Sequence, residues 1–235
     1  MFNGKNVGVI IPAAGSGSRM KSDRPKQYLE IDGKSIVFRT VERFESSPEV
    51  DRIILVAAKD SIGSLNRMAE SEGMAKIVGV IPGGMHRQDS VWNGLQSLKS
   101  QNVDIVIVHD AVRPFVTHEM IRSVTQAALD DGAAVVAVSP KDTIKVSNGK
   151  RVIQSTLQRE NVWAVQTPQA FRFQLLYSAF ERAIMDKFYA TDEAALVERL
   201  GSTVRIVEGS YDNIKITTAE DLELALLIVT RGNRK

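Results

Sequence analysis

The chain has 235 residues, of which 43% are hydrophobic and 25% are charged, and its formal net charge is +2. These values are typical of a globular protein with one large domain or two small ones, and the small charge does not favour a nucleic-acid or membrane partner. The sequence contains no cysteine, which excludes disulfides and thiolate metal sites and suits a reducing cytoplasm. No apolar run approaches the roughly 20 residues that span a bilayer, so we expect a cytoplasmic protein.

Short apolar runs alternate with longer amphipathic segments along the first two thirds of the chain. Such runs are typical of strands buried on both faces of a parallel sheet, and they occupy residues 6–11, 52–58, 76–81, 104–110 and 133–139. Between them, "SIVFRTVERF" and "QDSVWNGLQSL" each place apolar residues on one helical face. This alternation predicts an α/β layer structure with right-handed crossovers.

The pattern changes after Pro140, where residues 142–160 are too polar for another buried strand. Asn148 and Gly149 lie between two alternating segments, which is the strongest short-range signal for a hairpin. We therefore expect a projecting β-hairpin arm whose apolar residues need a partner. A second copy of the chain is the simplest partner, although a hairpin folded back on its own domain fits the pattern equally well. These apolar residues are Ile144, Val146, Val152, Ile153 and Leu157.

The remaining sequence predicts helices over about 172–186 and 191–200, a strand at 203–208 and a final helix. Gly201 ends the second of these helices, and the final helix begins where Thr218 and Asp221 have capping-box spacing. Because no linker or internal repeat is present, we expect one domain over residues 1–235, with the arm at about 140–162.

The first apolar run leads into a glycine-rich stretch, "PAAGSGSRM". Gly15 and Gly17 lack the third glycine of a dinucleotide fingerprint, since Met20 stands in its place, and no acidic residue ends the second strand. The Gly-Lys-Ser/Thr of a P-loop is also absent. On its own, the glycine pair is equally compatible with a phosphate loop and with a tight turn.

Two cations near this loop favour phosphate chemistry. Arg19 lies within it, and Lys26 follows Pro25, which keeps the segment extended at Arg24. Glycine N–H groups can approach a phosphate closely, while arginine and lysine neutralise charge on its oxygens. With no obvious nucleophile, the sequence predicts phosphoryl or nucleotidyl transfer between two bound anions.

Further polar groups lie where ligands bind in open α/β sheets. Asp110 follows the run at 104–108 and could hold Mg²⁺ or simply cap the next turn. Lys215 is a cation in a short apolar run, and Ser90 follows a second glycine pair that could read a base edge or only start a helix. The three histidines have no metal-ligand spacing and are interpreted as structural or solvated; they are His86, His109 and His118.

Eight short motifs occur in order between residues 12 and 217. They are "PAAGSGSRM", "PKQYL", "GGMHRQDSV", "HDAVRPF", "DTIK", "QTPQAF", "TDEAAL" and "NIKIT". Together they resemble the cytidylyltransferases that join CTP to methylerythritol phosphate in isoprenoid precursor synthesis. The resemblance implies a Rossmann-like, mostly parallel sheet flanked by helices, with a projecting arm that interlocks two subunits. It also implies attack of a sugar-phosphate oxygen on the α-phosphorus of CTP, with Mg²⁺ present and pyrophosphate leaving.

The resemblance assigns roles to residues at the matching positions. The catalytic set is Arg19, Lys26, Arg159 and Lys215. The CTP site comprises Pro12, Ala13, Ala14, Gly15, Ser16, Gly17, Gly83, Gly84, Ser90 and Asp110, with Asp110 also at the metal. The sugar-phosphate site comprises Arg113, Thr143, Arg159, Thr167 and Lys215, with Arg159 reaching over from the partner's arm.

Two alternatives accompany this interpretation. The similar family that uses ribitol phosphate tends to have Ala-Gly-Gly where this chain has Ala13-Ala14-Gly15, to favour "PKQF" over "PKQY", and to lack a lysine matching Lys145. A non-catalytic nucleotide sensor is disfavoured because a sensor needs affinity but no stabilisation of transition-state charge, which Arg19 and Lys26 would supply.

Overall fold

The computed structural model describes residues 1–15 and 25–232. The strands are β1 (Val7–Ala13), β2 (Glu30–Ile31), β3 (Lys34–Ser35), β4 (Arg52–Ala57), β5 (Ile77–Pro82), β6 (Ile105–Val108), β7 (Ala133–Val138), β8 (Lys145–Ser147), β9 (Ile153–Thr156), β10 (Ala164–Arg172) and β11 (Arg205–Glu208). The helices are α1 (Ile36–Glu45), α2 (Ile62–Ser71), α3 (Arg87–Leu98), α4 (His118–Asp131), α5 (Phe173–Met185), α6 (Glu193–Arg199) and α7 (Ala219–Gly232).

Seven strands form the central sheet in the order β11-β7-β10-β6-β1-β4-β5. β1 pairs in parallel with β4 and β6, β4 with β5, and β7 with β11. β10 is antiparallel to both of its neighbours, β6 and β7. The predicted mostly parallel sheet is confirmed, and the apolar runs at its centre are the strands buried on both faces.

β10 was not predicted as a strand, because its middle is polar. Its register against β7 shifts between Val165 and Gln169, so the intervening residues leave the regular ladder. Gln166, Thr167 and Gln169 are nonetheless buried. A buried polar segment of this kind has no hydrophobic periodicity to reveal it and is recognisable only from its neighbours.

Helices cover both faces of the sheet. α1, α2 and α4 pack one apolar cluster against alternate residues of the strands, and α3, α5 and α6 pack a second cluster on the opposite face. Adjacent β1 residues divide between the faces, Val9 entering the first cluster and Ile10 the second. α7 begins as expected, since the Asp221 N–H donates to Thr218 Oγ1 at 3.4 Å and the Thr218 N–H donates to Asp221 Oδ2 at 2.9 Å.

The arm is a two-stranded antiparallel hairpin of β8 and β9. Asn148 Oδ1 shapes its turn by accepting hydrogen bonds from the backbone N–H groups of Lys150 at 3.0 Å and Val152 at 3.1 Å. Every residue of the two strands is exposed, and Ile153 is 61% exposed. The two strands of the arm are therefore not covered by the rest of the described chain.

The helices over residues 1–15 and 25–232 are too short or too polar to cross a membrane.

The approach of α3 to the sheet depends on Gly94. A Cβ atom at this position would lie 2.6 Å from Ile10 Cγ2 on β1. We expect Gly94→Ala to lower the free energy of unfolding, measured by urea titration, by about 1–3 kcal/mol through overpacking.

Gly63→Ala on α2 is the matched control, because its Cβ would meet only Arg67 Nη1 at 3.6 Å. There the free energy of unfolding should stay constant or rise by up to about 1 kcal/mol, since alanine favours helix. Equal effects of the two substitutions would contradict the close contact.

Candidate active site

A cavity of about 320 Å³ opens at the carboxyl ends of the central strands, where open α/β sheets bind ligands. Its wall combines the chain leaving β1, the turn between β5 and α3, and the turn after β6. The predicted site residues in this wall are Pro12, Ala13, Ala14, Gly15, Lys26, Gly84, Ser90, Asp110 and Lys215. Ser16, Gly17 and Arg19 lie outside the described residues.

Gln27 organises the chain as it leaves β1. Its side chain is buried and its Nε2 donates to the carbonyl oxygens of Ala13 at 2.7 Å and Gly15 at 2.9 Å. No role was predicted for Gln27 from the sequence, although it lies in the "PKQYL" motif. Because one amide binds two carbonyl oxygens that lie two residues apart, the wall of the cavity is fixed on this side.

The second glycine pair brings the turn before α3 against the β1 loop. The Gly83 N–H donates to the Ala57 carbonyl at 2.9 Å, and a Cβ at Gly83 would lie 2.5 Å from Ala14 Cβ. Ser90 Oγ accepts from the Gly84 N–H at 3.1 Å. Gly83 thus supports the wall from behind, while Gly84 and Ser90 line the cavity.

Asp110 lies at the centre of an ionic cluster just beyond β6. Its Oδ1 accepts from Arg87 Nε at 3.1 Å, its Oδ2 lies 2.8 Å from Lys215 Nζ and 3.6 Å from Arg113 Nε, and its N–H donates to Thr167 Oγ1 at 3.1 Å. Burial by itself would raise the pKa of Asp110, but the charges of Arg87, Lys215 and Arg113 outweigh it and hold that pKa well below its usual value.

Arg87 connects this cluster to a second buried carboxylate. Its Nη1 donates to both oxygens of Glu193, at 2.7 and 3.0 Å, and Glu193 is 1% exposed. Burial opposes the charge on Arg87, yet Glu193 and Asp110 together raise its pKa above the ordinary value. Neither residue was assigned a role from the sequence, although both stand in quoted motifs, "GGMHRQDSV" and "TDEAAL".

A second cavity of about 220 Å³ adjoins the first. Arg113 and Thr167, both predicted for the sugar phosphate, lie in its wall. Arg87, Asp110 and Lys215 line both cavities and therefore stand at their junction. Two ligands bound side by side would meet there.

Asn213 holds the second cavity together from behind. It is fully buried, and its Nδ2 donates to Gln166 Oε1 at 3.0 Å and to the Thr167 carbonyl at 2.9 Å. The backbone carbonyl oxygen of Asn213 accepts a hydrogen bond from Arg113 Nη1 at 2.7 Å. Asn213 is thus a positioning residue that the sequence analysis did not identify.

The predicted arm residues contact each other but stay apart from the cavities of their own chain. Arg159 Nη2 lies 3.5 Å from Thr143 Oγ1, and both residues are exposed. Neither belongs to the described walls of the two cavities.

Within residues 1–15 and 25–232, no three acidic or histidine side chains group in a way that could hold a metal ion. Asp110 is the one carboxylate in the described wall of the larger cavity, and both of its oxygens are paired with cations. Magnesium is often held by one or two carboxylates together with substrate phosphates. The described residues by themselves therefore do not form a magnesium site.

The mostly parallel sheet, the glycine turn before α3 and the cationic junction between two cavities are typical of a nucleotide-binding α/β protein with room for a second anionic ligand. The chain belongs to the 2-C-methyl-D-erythritol 4-phosphate cytidylyltransferase (IspD) family, whose sequence profile matches residues 7–231.

Individual relatives are similar to this chain over nearly its full length. Proteins named 2-C-methyl-D-erythritol 4-phosphate cytidylyltransferase are similar to this chain in Syntrophus aciditrophicus (strain SB) and Geobacter metallireducens. The first is 44% identical, over 93% of this chain and 94% of its own length. The second is 45% identical, over 93% and 95% respectively. The crystal structure of 4-diphosphocytidyl-2C-methyl-D-erythritol synthase from Anaerococcus prevotii superposes with a TM-score of 0.86 at 32% identity, covering 97% of this chain and 98% of that one.

His109, directly before Asp110, is fully buried against Phe44, and its Nε2 lies 3.0 Å from the Arg113 carbonyl. Burial lowers the pKa of His109 to about 4. In the unfolded chain a histidine has a pKa near 6.5, so between pH 6.5 and pH 4 the unfolded state binds more protons. We expect the free energy of unfolding to decrease by up to about 3 kcal/mol as pH falls through this window.

In urea titrations at several pH values, His109→Gln should remove this contribution to the pH dependence of the free energy of unfolding. The number of protons taken up on unfolding in this pH window should fall by nearly one. His118→Gln, which removes a histidine beside Ser46, is the control. Identical pH slopes in the two variants would contradict a neutral buried His109.

Proposed function

We propose that this chain transfers a cytidylyl group from CTP to 2-C-methyl-D-erythritol 4-phosphate. An oxygen of the sugar phosphate attacks the α-phosphorus of CTP, and the bond from that phosphorus to the β-phosphate oxygen breaks. The products are 4-diphosphocytidyl-2-C-methyl-D-erythritol and pyrophosphate. Beyond family membership, the junction carries this proposal, because Arg87, Asp110 and Lys215 line both cavities at once.

The larger cavity is assigned to CTP. The backbone of residues 12–17 would cradle the triphosphate, since glycine turns bring N–H groups close to phosphate oxygens. Gly83, Gly84 and Ser90 would receive the cytosine, and Asp110 would lie at the ribose. The positions of Gly84 and Ser90 in the wall of the larger cavity, beside Ala14 and Asp110, support this assignment.

The smaller cavity is assigned to the sugar phosphate. Arg113 and Thr167 would bind it, and Lys215 would orient its phosphate toward the junction. Arg19 and Lys26 would then stabilise the charge that develops on the α-phosphate. Removal of one such donor typically costs about 3–4 kcal/mol of transition-state stabilisation in other enzymes.

Magnesium is the proposed cofactor. Asp110 is the residue of this chain that would hold it, together with substrate phosphate oxygens. The ion supplies positive charge that offsets the charge of the triphosphate. Arg87, Arg113 and Lys215 already surround this carboxylate, so protein cations contribute to the same charge balance.

A homodimer formed through the arm completes the proposed site. Val152 and Ile153 are 58% and 61% exposed, and such apolar surface favours a partner. A second copy would bring Arg159 and Thr143 to the sugar phosphate. We further propose that residues 1–235 form one nucleotidyltransferase domain that works in the cytoplasm, which agrees with the absence of cysteine.

Pyrophosphate release tests the substrate assignment. With CTP and Mg²⁺, purified protein should release pyrophosphate with 2-C-methyl-D-erythritol 4-phosphate at least tenfold faster than with ribitol 5-phosphate. Release with ribitol phosphate alone would assign the chain to the ribitol alternative. Binding of CTP without any release would favour the sensor.

Mixed dimers test the role of the arm. We expect Arg159→Ala and Lys26→Ala homodimers to be nearly inactive. In a mixed dimer of the two, an arm that reaches the partner's site leaves one site with both changes and one with neither. Tandem-affinity-purified mixed dimers should therefore show about half the rate of unsubstituted dimers carrying the same tags. If Arg159 served its own chain, each site would carry one change and no activity would return.

A further inference from the structure

Glu193 is a buried carboxylate that the mechanism above does not use. It is the first residue of α6, and its side chain is 2% exposed. Both of its oxygens accept from Arg87 Nη1, although the two residues stand 106 positions apart in the sequence. A fully buried acid is retained in a fold only when it is paired, so this contact sets the conformation of Arg87.

The start of α6 is anchored, which makes Glu193 a rigid support. Gln169 on β10 donates from Nε2 to Asp192 Oδ2 at 2.8 Å, and its Oε1 accepts from the Ala194 N–H at 3.2 Å. Asp192 Oδ1 accepts from the Ala195 N–H at 3.1 Å and caps the helix. The sheet therefore fixes the residues on either side of Glu193.

Charge balance extends this support to Asp110. Three cations, Arg87, Arg113 and Lys215, face two carboxylates at the junction. Glu193 takes up part of the charge of Arg87, so Asp110 can be shared between Arg87 Nε and Lys215 Nζ, at 3.1 and 2.8 Å. Without the Glu193 charge, Arg87 would draw Asp110 toward itself and away from Lys215.

We infer that Glu193 is a positioning residue, which acts through Arg87 to hold Asp110 and Lys215 in fixed positions relative to each other at the junction of the two cavities. This inference rests on the proposed function. It predicts a defect in the chemical step rather than in substrate binding, because the shared residues lie where the reactants meet. Displacing a reacting group by about 1 Å can lower a rate about 100-fold.

The test is Glu193→Gln, which keeps the volume and one acceptor oxygen but removes the charge. We expect kcat to fall about 10- to 100-fold, while the KM for the sugar phosphate and the calorimetric Kd for CTP change less than about threefold. CTP stoichiometry should remain one per chain. The Tm should fall, because removing one partner of a buried ion pair leaves part of the Arg87 charge uncompensated, but the folded protein should still bind CTP.

Two further variants show whether the effect passes through Arg87. Glu198→Gln makes the same change at an exposed position of α6 and should leave kcat within about twofold. In an Arg87→Gln background, Glu193→Gln should lower kcat by less than a further factor of about three, because the residue through which Glu193 acts is already gone.

Each outcome decides the inference. The inference would be overturned if the kcat of Glu193→Gln stayed within twofold of that of the unsubstituted protein. It would also be overturned if Glu193→Gln lowered kcat by the same factor with and without Arg87→Gln. A lower Tm with reduced CTP stoichiometry would give Glu193 a structural role only. If the unsubstituted protein itself released no pyrophosphate, the proposed function would fail instead, so the two failures are distinguishable.

Discussion

The site depends on a carboxylate, Asp110, that is buried beyond the end of β6 and paired with three cations. A buried charge is tolerated only with partners of good geometry, and here the partners come from separate parts of the chain. Arg87 begins α3, Arg113 lies in the turn after β6, and Lys215 precedes α7. Burying Asp110 in its ionised form therefore requires that these elements meet, which couples the electrostatics of the site to the assembly of the fold.

Close packing of backbone is the second constraint on the site. Gly83 lies against Ala14, and Gly94 lies against Ile10, at distances that leave no room for a Cβ atom. These contacts place the turn before α3 directly beside the chain leaving β1. Gln27 then fixes that chain through two carbonyl oxygens. These close contacts fix the described part of the cavity wall, which reduces the ordering that a nucleotide ligand must bring about there on binding.

The arm differs from the central sheet because burial within its own chain does not stabilise its strands. A two-stranded hairpin is marginal in water by itself, and the strands of this arm are exposed along their whole length. Its polar residues Thr143 and Arg159 lie together. An interlocked second copy would bury the apolar side of the arm and deliver these polar groups to the site, so dimerisation and catalysis would share one element.

Local patterns in the sequence determined the buried parallel strands, the hairpin at Asn148-Gly149 and the cap of α7, because each depends on residues close together in the chain. The ordered motifs also indicated the family and half of the residues that line the two described cavities. β10 was not predicted from the sequence, because its buried polar residues are explained only by their neighbours. Nor were roles predicted for Arg87 and Glu193, which pair across 106 positions. Tertiary structure decided those contacts, since burial and charge pairing depend on which distant residues the fold brings together.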